Sequence, residues 1–510
     1  MKRVLTAVLA LFVALFLLVP AERAKGAAAV PARPGQLAFP PLEYRPPNPA
    51  DYRVQLKAGP VAYLVPDREL PLVNLTILVR TGDYLEPAGK EGVAGVTGNL
   101  LTRGGTKSMT AEALEEKLAF LAAQLNSAVS DTQGTVSLNL LSKDLDEGLG
   151  ILREALTQPR FQDDKLALLK QQMLQQMQQR NDDSAEIEAR EVNHLGYGES
   201  FWANHAPTAK SVESIDRTDV EAFHRRWFVP CNFVIAINGD FDRAAMIGKL
   251  EKLFAAWPFK GETPPPIPTE TEMTKPGVYL VNKDVNQGRV SILLPGIMRD
   301  DPDYFPAAIM NDILGGGGFT SRLVNRIRTD EGLAYHAGSS LPGGTYYAPP
   351  MRALFQTKSR TVPYAVGIVF EEMKRIAAEP VSDEELDGTI TGLIERFPRA
   401  FATKAQIAGT FAQDEFTGRY AKDPGYWKNH RAKIRAVTKA DVQRAARRLL
   451  KPEQVRVLII GQKDEILRGH PDHPEQLIDF AGGNLMDWPL RDPLTMQQMA
   501  QPKPIEDSAK

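Results

Sequence analysis

The sequence predicts an α+β protein: two homologous mixed α/β halves, each a sheet packed with helices, joined by a proline-rich linker into a clam shell. An internal repeat with a spacing of about 220 residues predicts the two halves. Strand and helix patterns that alternate within each copy predict the mixed class. Residues 257–276 are polar and rich in proline, which predicts a stiff linker outside both cores.

The composition is that of an ordinary globular protein. Of the 510 residues, 43% are hydrophobic and 24% are charged, and the formal net charge is −2. Charges of one sign are not grouped in blocks, so the sequence has no basic patch for a phosphate backbone. We therefore expect no nucleic-acid partner.

The N-terminus is typical of an exported protein. Lys2 and Arg3 precede an apolar run over residues 4–19, and small residues follow it. The run is slightly shorter than the roughly 20 residues of a membrane span, which favours a cleaved signal peptide over 1–27 rather than a retained anchor. Residues 28–50, rich in Ala, Pro and Gly, predict an extended leader. We expect a periplasmic protein with no membrane span after cleavage.

In the first half, residues 51–256, strand and helix patterns alternate. Alternating or continuous apolar patterns predict strands over 73–79, 136–140 and 233–238. Helical patterns predict helices over 110–122 and 163–180, and Thr110 is a suitable N-cap for the first. These elements predict a two-layer α+β unit.

The repeat relates the first half to residues 277–466. Asp216 and Asp219 recur as Thr438 and Asp441, a spacing of 222 in both pairs (438 − 216 and 441 − 219). The same spacing relates the residues that end each copy, Pro230 and Gly239 in the first, Pro452 and Gly461 in the second. Both copies therefore predict a capped helix, a proline break and a terminal strand. Residues 467–510 show only weak periodicity, and we expect a tail that wraps the surface.

A glycine run followed by an Arg and a Tyr is the most distinctive motif of the second half. Residues 314–335 have the sequence LGGGGFTSRLVNRIRTDEGLAY, which predicts Arg328 at a helix end and Tyr335 on the next strand. By position alone, they fit a surface Arg and a core Tyr. In context, the segment resembles the Arg/Tyr pair of the pitrilysin, insulysin and mitochondrial processing peptidase family, the inverzincins. The resemblance implies that both side chains contact the carbonyl oxygens of a bound peptide.

The zinc motif of that family is degenerate in this chain. Inverzincins bind zinc through H-x-x-E-H and a later Glu, and the Glu of the motif is the general base. The surrounding frame is present, but Gly95, Gly98 and Asn99 occupy the His, Glu and His positions. The helix that would supply the later Glu, within 165–180, contains no Asp or Glu. We therefore expect no zinc in this chain and no peptidase activity from the chain alone.

A second peptide contact is implied by residues 126–139, which resemble the edge strand of the family. An extended substrate adds to that strand by β-augmentation, so Asn126, Ser127 and Ala128 are candidate substrate-binding residues. An ordinary internal strand explains the same pattern nearly as well.

Half of a peptidase site therefore remains in the sequence. In heterodimeric members of the family one subunit holds zinc and the other does not, and this chain resembles the zinc-free subunit. The resemblance implies a non-catalytic subunit that supplies Arg328 and Tyr335 to a homologous H-x-x-E-H partner carrying the zinc. One alternative is a peptide-binding or scaffolding protein with no role in proteolysis. Another is an independent metallopeptidase with a rebuilt site.

Overall fold

The computed structural model describes Arg33 and residues 44–480 and 482–505. The predicted signal peptide and most of the leader lie outside these residues. The chain divides into two units after Arg45, and every element described below belongs to the second. None of the helices in the described part of the chain combines the length and hydropathy needed to cross a bilayer.

A six-stranded mixed sheet is the centre of the first half. Its strands are β1 (Arg53–Gln55), β2 (Val61–Pro66), β3 (Leu72–Val79), β4 (Gln124–Ser130), β5 (Gln133–Leu141) and β6 (Phe233–Gly239). They lie in the order β1-β2-β6-β3-β5-β4, so β4 is an edge strand.

A seven-stranded sheet is the centre of the second half, in the order β10-β12-β8-β13-β7-β14-β15. Its strands and a separate short pair, β9 and β11, are β7 (Gly277–Asn282), β8 (Gln287–Leu294), β9 (Ile297–Met298), β10 (Ala337–Ser340), β11 (Gly343–Gly344), β12 (Met351–Lys358), β13 (Arg456–Gly461), β14 (Leu485–Asp487) and β15 (Lys503–Pro504).

Helices pack on both sheets, which confirms the predicted α+β class. In the first half they are α1 (Val93–Arg103), α2 (Ala111–Phe120), α3 (Leu145–Thr157), α4 (Asp163–Gln178), α5 (Ser184–Tyr197), α6 (Ala209–Ser214), α7 (Arg217–Trp227) and α8 (Arg243–Phe254). In the second half they are α9 (Tyr304–Asn311), α10 (Arg322–Val324), α11 (Val362–Ala378), α12 (Asp383–Arg396), α13 (Lys404–Phe416), α14 (Arg419–Lys422), α15 (Tyr426–Arg435), α16 (Lys439–Leu449), α17 (Lys463–Arg468) and α18 (Leu477–Phe480).

The internal repeat appears in the topology of the two sheets. The order β4-β5-β3-β6-β2 in the first sheet matches β10-β12-β8-β13-β7 in the second. The parallel pair β2 and β6 corresponds to the parallel pair β7 and β13. The helices before β6 and β13, α7 and α16, both begin with a capping box, at Asp216 and Thr438. The equivalence read from the sequence is therefore present in the fold.

Each half lends one helix to the sheet of the other half. Helix α13 of the second half packs on β2 and β6, and α5 of the first half packs on β8 and β13. On α5, Glu188 accepts a 2.7 Å hydrogen bond from the hydroxyl of Ser291 and pairs with Arg352 at 2.8 Å. The residues before and after the linker are thus held together by buried contacts, in addition to the linker itself.

The C-terminal tail extends the second sheet, which corrects the expectation of a surface wrap. Strand β14 runs parallel to β7, and β15 pairs with β14. Arg491 is almost fully buried and donates a 3.1 Å hydrogen bond to Glu191 of α5. Strands of two and three residues are too short to give a periodic signal, so the sequence did not reveal them.

Candidate functional site

The degenerate motif lies on α1, which is capped by a carboxylate. Glu86 accepts hydrogen bonds from the backbone N–H groups of Gly92 at 3.0 Å and Ala94 at 2.8 Å. These are first-turn N–H groups that have no partner within the helix. Burial raises the pKa of Glu86 to about 7, although the two backbone hydrogen bonds oppose that rise. The N-terminus of α1, where the zinc motif would lie, is therefore a regular, capped helix end.

The position of the motif's Glu is sterically closed. A Cβ atom added to Gly98 would lie 2.6 Å from the backbone nitrogen of Val129, in β4. Ser127 of the same strand donates a hydrogen bond from its hydroxyl to the carbonyl oxygen of Gly98. The helix and the strand are so close that only glycine fits between them. A larger side chain at this position requires α1 or β4 to shift.

The two His positions open into different cavities. A Cβ added to Gly95 would meet no atom within 4 Å, and Gly95 lines a cavity of about 430 Å³. Asn99 lines a second cavity, of about 690 Å³, together with Gln172 of α4 and Asn126 of β4. At the three motif positions the side chains are hydrogen, in Gly95 and Gly98, or a neutral amide, in Asn99, whereas zinc sites use His, Cys, Asp or Glu. The residues do not fit zinc, and the described part of the chain holds no group of three such ligands elsewhere.

Residues 126–139, expected as one peptide-binding strand, form a hairpin, and only its first strand lies at the edge of the sheet. Residues 126–139 form β4, a turn at 131–132 and β5, and β5 is an interior strand between β3 and β4. Asn126 and Ala128 are exposed, while Ser127 points toward α1 and lies 3.2 Å from the hydroxyl of Thr102. Only β4 is therefore open to strand addition, and the Ser127 hydroxyl is already engaged within the chain.

Arg328 and Tyr335 lie against each other in the second half. The guanidinium carbon of Arg328 is 4.7 Å from the ring centre of Tyr335, and it is also 4.7 Å from the ring centre of Phe319. Both rings are open to solvent, with Phe319 72% and Tyr335 85% exposed. The three side chains line a cavity of about 260 Å³. The spacing seen in the sequence thus brings the pair together.

The backbone around this pair differs from the expected helix end and strand. Arg328 lies inside a π-helical segment, Asn325–Asp330, and the chain then reverses at Gly332, whose φ is +62°. Tyr335 precedes β10, which begins at Ala337, so it is in the connecting loop. A π-helical turn is widened by one residue, and nothing in the apolar periodicity distinguishes it from an α-helix.

Phe319 is the residue of this site that the sequence argument missed. It directly follows the four glycines, and a large exposed apolar side chain at a loop tip is a recognisable signal for a contact surface. The cavity at Arg328 is lined by residues of the second half alone, whereas the cavities at Gly95 and Asn99 are lined by residues of the first. The Arg/Tyr pair and the degenerate motif therefore do not share a cavity.

Two family models match consecutive parts of the chain. Residues 64–203 match the insulinase family, peptidase family M16, and residues 214–393 match the peptidase M16 inactive domain. The non-peptidase homolog YmxG of Helicobacter pylori is 26% identical over 323 residues, which cover 62% of this chain and 73% of that protein. An uncharacterized zinc protease of Rickettsia bellii is 22% identical over 364 residues, covering 69% of this chain and 84% of its own.

Solved structures share the same fold. The peptidase M16 inactive domain from Pseudomonas fluorescens has a TM-score of 0.72 and 24% identity, over 80% of this chain and 97% of that one. The periplasmic protease PqqL from Escherichia coli has a TM-score of 0.66 and 15% identity, over 80% of this chain and 45% of that one. At these identities the likeness shows the fold, while the family models identify the family. The chain belongs to peptidase family M16, and its sequence contains no H-x-x-E-H.

Proposed function

We propose that this chain is a non-catalytic subunit of a zinc metallopeptidase heterodimer. In this proposal it supplies Arg328 and Tyr335 to a homologous partner that carries H-x-x-E-H and the zinc. The observation that carries the proposal is a contrast between the two halves. The motif's Glu position is closed by the backbone of β4, whereas Arg328 contacts two exposed rings at the mouth of a cavity.

The chemistry available to the pair is donation to oxygen atoms of a peptide. Arg328 offers five N–H donors and Tyr335 one hydroxyl. Such donors stabilise negative charge that develops on a carbonyl oxygen when a peptide bond is attacked. Neither group can generate the nucleophile, so the proposal assigns bond cleavage to the partner and peptide orientation to this chain.

The edge strand gives the proposed subunit a second way to hold peptide. One side of β4 bonds to β5, and the other has no strand beside it among the described residues. An extended peptide could therefore add there through its backbone, next to Asn126 and Ala128. This role for β4 would also serve a second candidate function, a peptide-binding or scaffolding protein. The Helicobacter pylori relative is named a non-peptidase homolog, which agrees with either non-catalytic function.

The proposal includes a periplasmic location. The basic start and apolar run of the first 19 residues support export. A protein with the same fold, PqqL of Escherichia coli, is described as a periplasmic protease.

Reconstitution tests the proposal directly. The mature chain would be coexpressed with an H-x-x-E-H homologue encoded beside it, and complex formation and peptide turnover would be measured. We expect a stable heterodimer whose turnover exceeds that of the zinc subunit alone. A complex that forms but has the same turnover with or without intact Arg328 and Tyr335 would favour the scaffolding function.

A further inference from the structure

The guanidinium of Arg328 contacts two aromatic rings. Its carbon lies over the ring of Phe319 and over the ring of Tyr335, 4.7 Å from each ring centre. Contacts of this kind are attractive cation–π interactions. Two such contacts restrict the rotation of a long side chain that is otherwise free to move.

The two ring contacts restrain the guanidinium without conventional hydrogen bonds. Its five N–H donors lie in the plane of the cation and point outward from its edge. Within the described residues, no hydrogen bond or ion pair engages the Arg328 guanidinium. Other arginines use their donors within the chain. Arg322, for example, donates to both carboxylate oxygens of Glu385, at 2.6 and 2.9 Å. Arg328 is thus an oriented cation with its donors free.

The surroundings of Arg328 favour an anion. The cavity that it lines includes glycines, Ser339, His336 and apolar side chains, and it includes no Asp or Glu. Arg328 is therefore the only side chain in this lining with a permanent charge. A planar fork of N–H donors matches a carboxylate, which accepts two parallel hydrogen bonds, better than it matches a single carbonyl oxygen.

We propose that Phe319 is a positioning residue that, with Tyr335, holds Arg328 as a receptor for a carboxylate of a bound peptide. The inference rests on the proposed function for the peptide as occupant and adds the class of group that is recognised. The carboxylate takes the two terminal nitrogens of the guanidinium. The Nε–H group and the Tyr335 hydroxyl are then free for a carbonyl oxygen of the same peptide.

A carboxylate can come from a peptide's C-terminus or from an Asp or Glu side chain. The test uses the isolated full chain and four N-acetylated heptapeptides of Ala and Ser. One has a free C-terminus, one is amidated, and two are amidated with a central Glu or Gln. Binding is measured by titration calorimetry at low ionic strength. We expect a carboxylate-bearing peptide to bind about tenfold or more tightly than both neutral peptides. Tighter binding of the free C-terminus assigns the C-terminal carboxylate, and tighter binding of the Glu peptide assigns the side chain.

Variants of the stack separate positioning from folding. Phe319→Leu should weaken binding of the carboxylate peptide about two- to fivefold, and Phe319→Tyr should restore it, because the ring face is retained. Arg328→Lys should lose the preference for carboxylate, since an ammonium cannot form the bidentate fork. Phe120→Leu is the matched control: Phe120 is 82% exposed and lies 5.6 Å from the ammonium of Lys117, far along the chain from this cavity. It should leave binding unchanged.

The inference is overturned if all four peptides bind equally, if none binds at millimolar concentration, or if Phe319→Leu binds as the unmodified chain does. No partner and no turnover enter this experiment. A failed reconstitution of the heterodimer alongside carboxylate binding would reject the proposed function and keep the receptor. The opposite pair of results would reject the receptor alone.

Discussion

The hydroxyl of Tyr63, in strand β2 of the first sheet, donates a 2.9 Å hydrogen bond to the carboxylate of Glu415, in helix α13 of the second half. Arg53 of β1 donates to the same carboxylate at 2.9 Å. Glu188 occupies the reciprocal position, on a first-half helix against the second sheet. Each of the two helices that pack on the sheet of the other half, α13 and α5, is thus held there by the hydrogen bonds of one carboxylate.

Removing Glu415 should destabilise the whole unit. Tyr63 is fully buried, so Glu415→Ala leaves its hydroxyl without its acceptor and costs about 1–3 kcal/mol. The free energy of unfolding, measured by urea titration, should fall by that amount. Glu395→Ala, at an exposed site on α12, serves as the control and should change it by less than about 0.5 kcal/mol. Equal effects of the two substitutions would mean that the Glu415 contacts contribute little.

Two glycines of α1 should respond to alanine in opposite directions. Gly95 has open space around it, so Gly95→Ala should stabilise the protein by about 0.5–1 kcal/mol through the helix propensity of alanine. Gly98→Ala places a methyl 2.6 Å from the backbone of β4 and should destabilise it by about 1–3 kcal/mol. Thermal unfolding of both variants compares them directly. A Gly98→Ala protein as stable as Gly95→Ala would show that α1 can move away from β4.

Restoring the zinc motif should not restore a zinc site. The triple variant Gly95→His, Gly98→Glu, Asn99→His still lacks a carboxylate over residues 165–178 of α4, where Gln172 lines the cavity at Asn99. Its new Glu also has no room beside Val129. Metal analysis of the purified chain, before and after the substitutions, should find no stoichiometric zinc, and peptidase assays should find no activity. About one zinc per chain in either protein would refute this prediction.

In a reconstituted heterodimer, Tyr335→Phe should lower kcat while the complex stays assembled. The substitution removes one hydroxyl and keeps the ring that stacks on Arg328, and loss of one oxyanion donor typically costs about 10²–10³ in rate. Arg328→Ala should lower kcat/KM at least as much. Size-exclusion chromatography verifies assembly. A rise in KM with an unchanged kcat would assign the pair to peptide holding instead.

Acid should destabilise the protein through a buried histidine. Burial lowers the pKa of His224 from 6.5 to about 4, and its Nε2 lies 2.9 Å from the carbonyl oxygen of Leu156. Between these values the unfolded chain binds a proton that the folded chain does not, so stability falls as pH drops from about 6.5 to 4. The full loss from this group is about 3 kcal/mol. Urea titrations across this range should show it, and His224→Phe should flatten the slope; an unchanged slope would assign the acid sensitivity to other groups.

Local signals in the sequence predicted the elements better than their arrangement. Helix caps such as Thr110 and Asp216 depend on neighbours along the chain, and the structure places capping hydrogen bonds at both residues. The 222-residue repeat could likewise be read directly from the sequence. The packing of α5 and α13 on the sheet of the other half depends on contacts between residues far apart in the chain. The periodicity of apolar residues does not predict such contacts. The family resemblance, rather than the spacing alone, assigned Arg328 and Tyr335 to one site, and in the structure the guanidinium carbon lies 4.7 Å from the ring centre of Tyr335. Phe319 was missed because its partner is nine residues away across an irregular π-helical turn.

The contact between Gly98 and β4 also limits which sequences this chain can reach by mutation. By the family resemblance, a metal site would need a Glu at this position, and any side chain larger than hydrogen meets the backbone of Val129 first. A zinc site would first require the hairpin of β4 and β5 to shift. No metal would bind until the two His, the Glu and a further carboxylate were all in place. The close packing therefore makes a single substitution at Gly98 unfavourable. Selection can change how the chain holds a peptide or a partner, but no single mutation creates a zinc site.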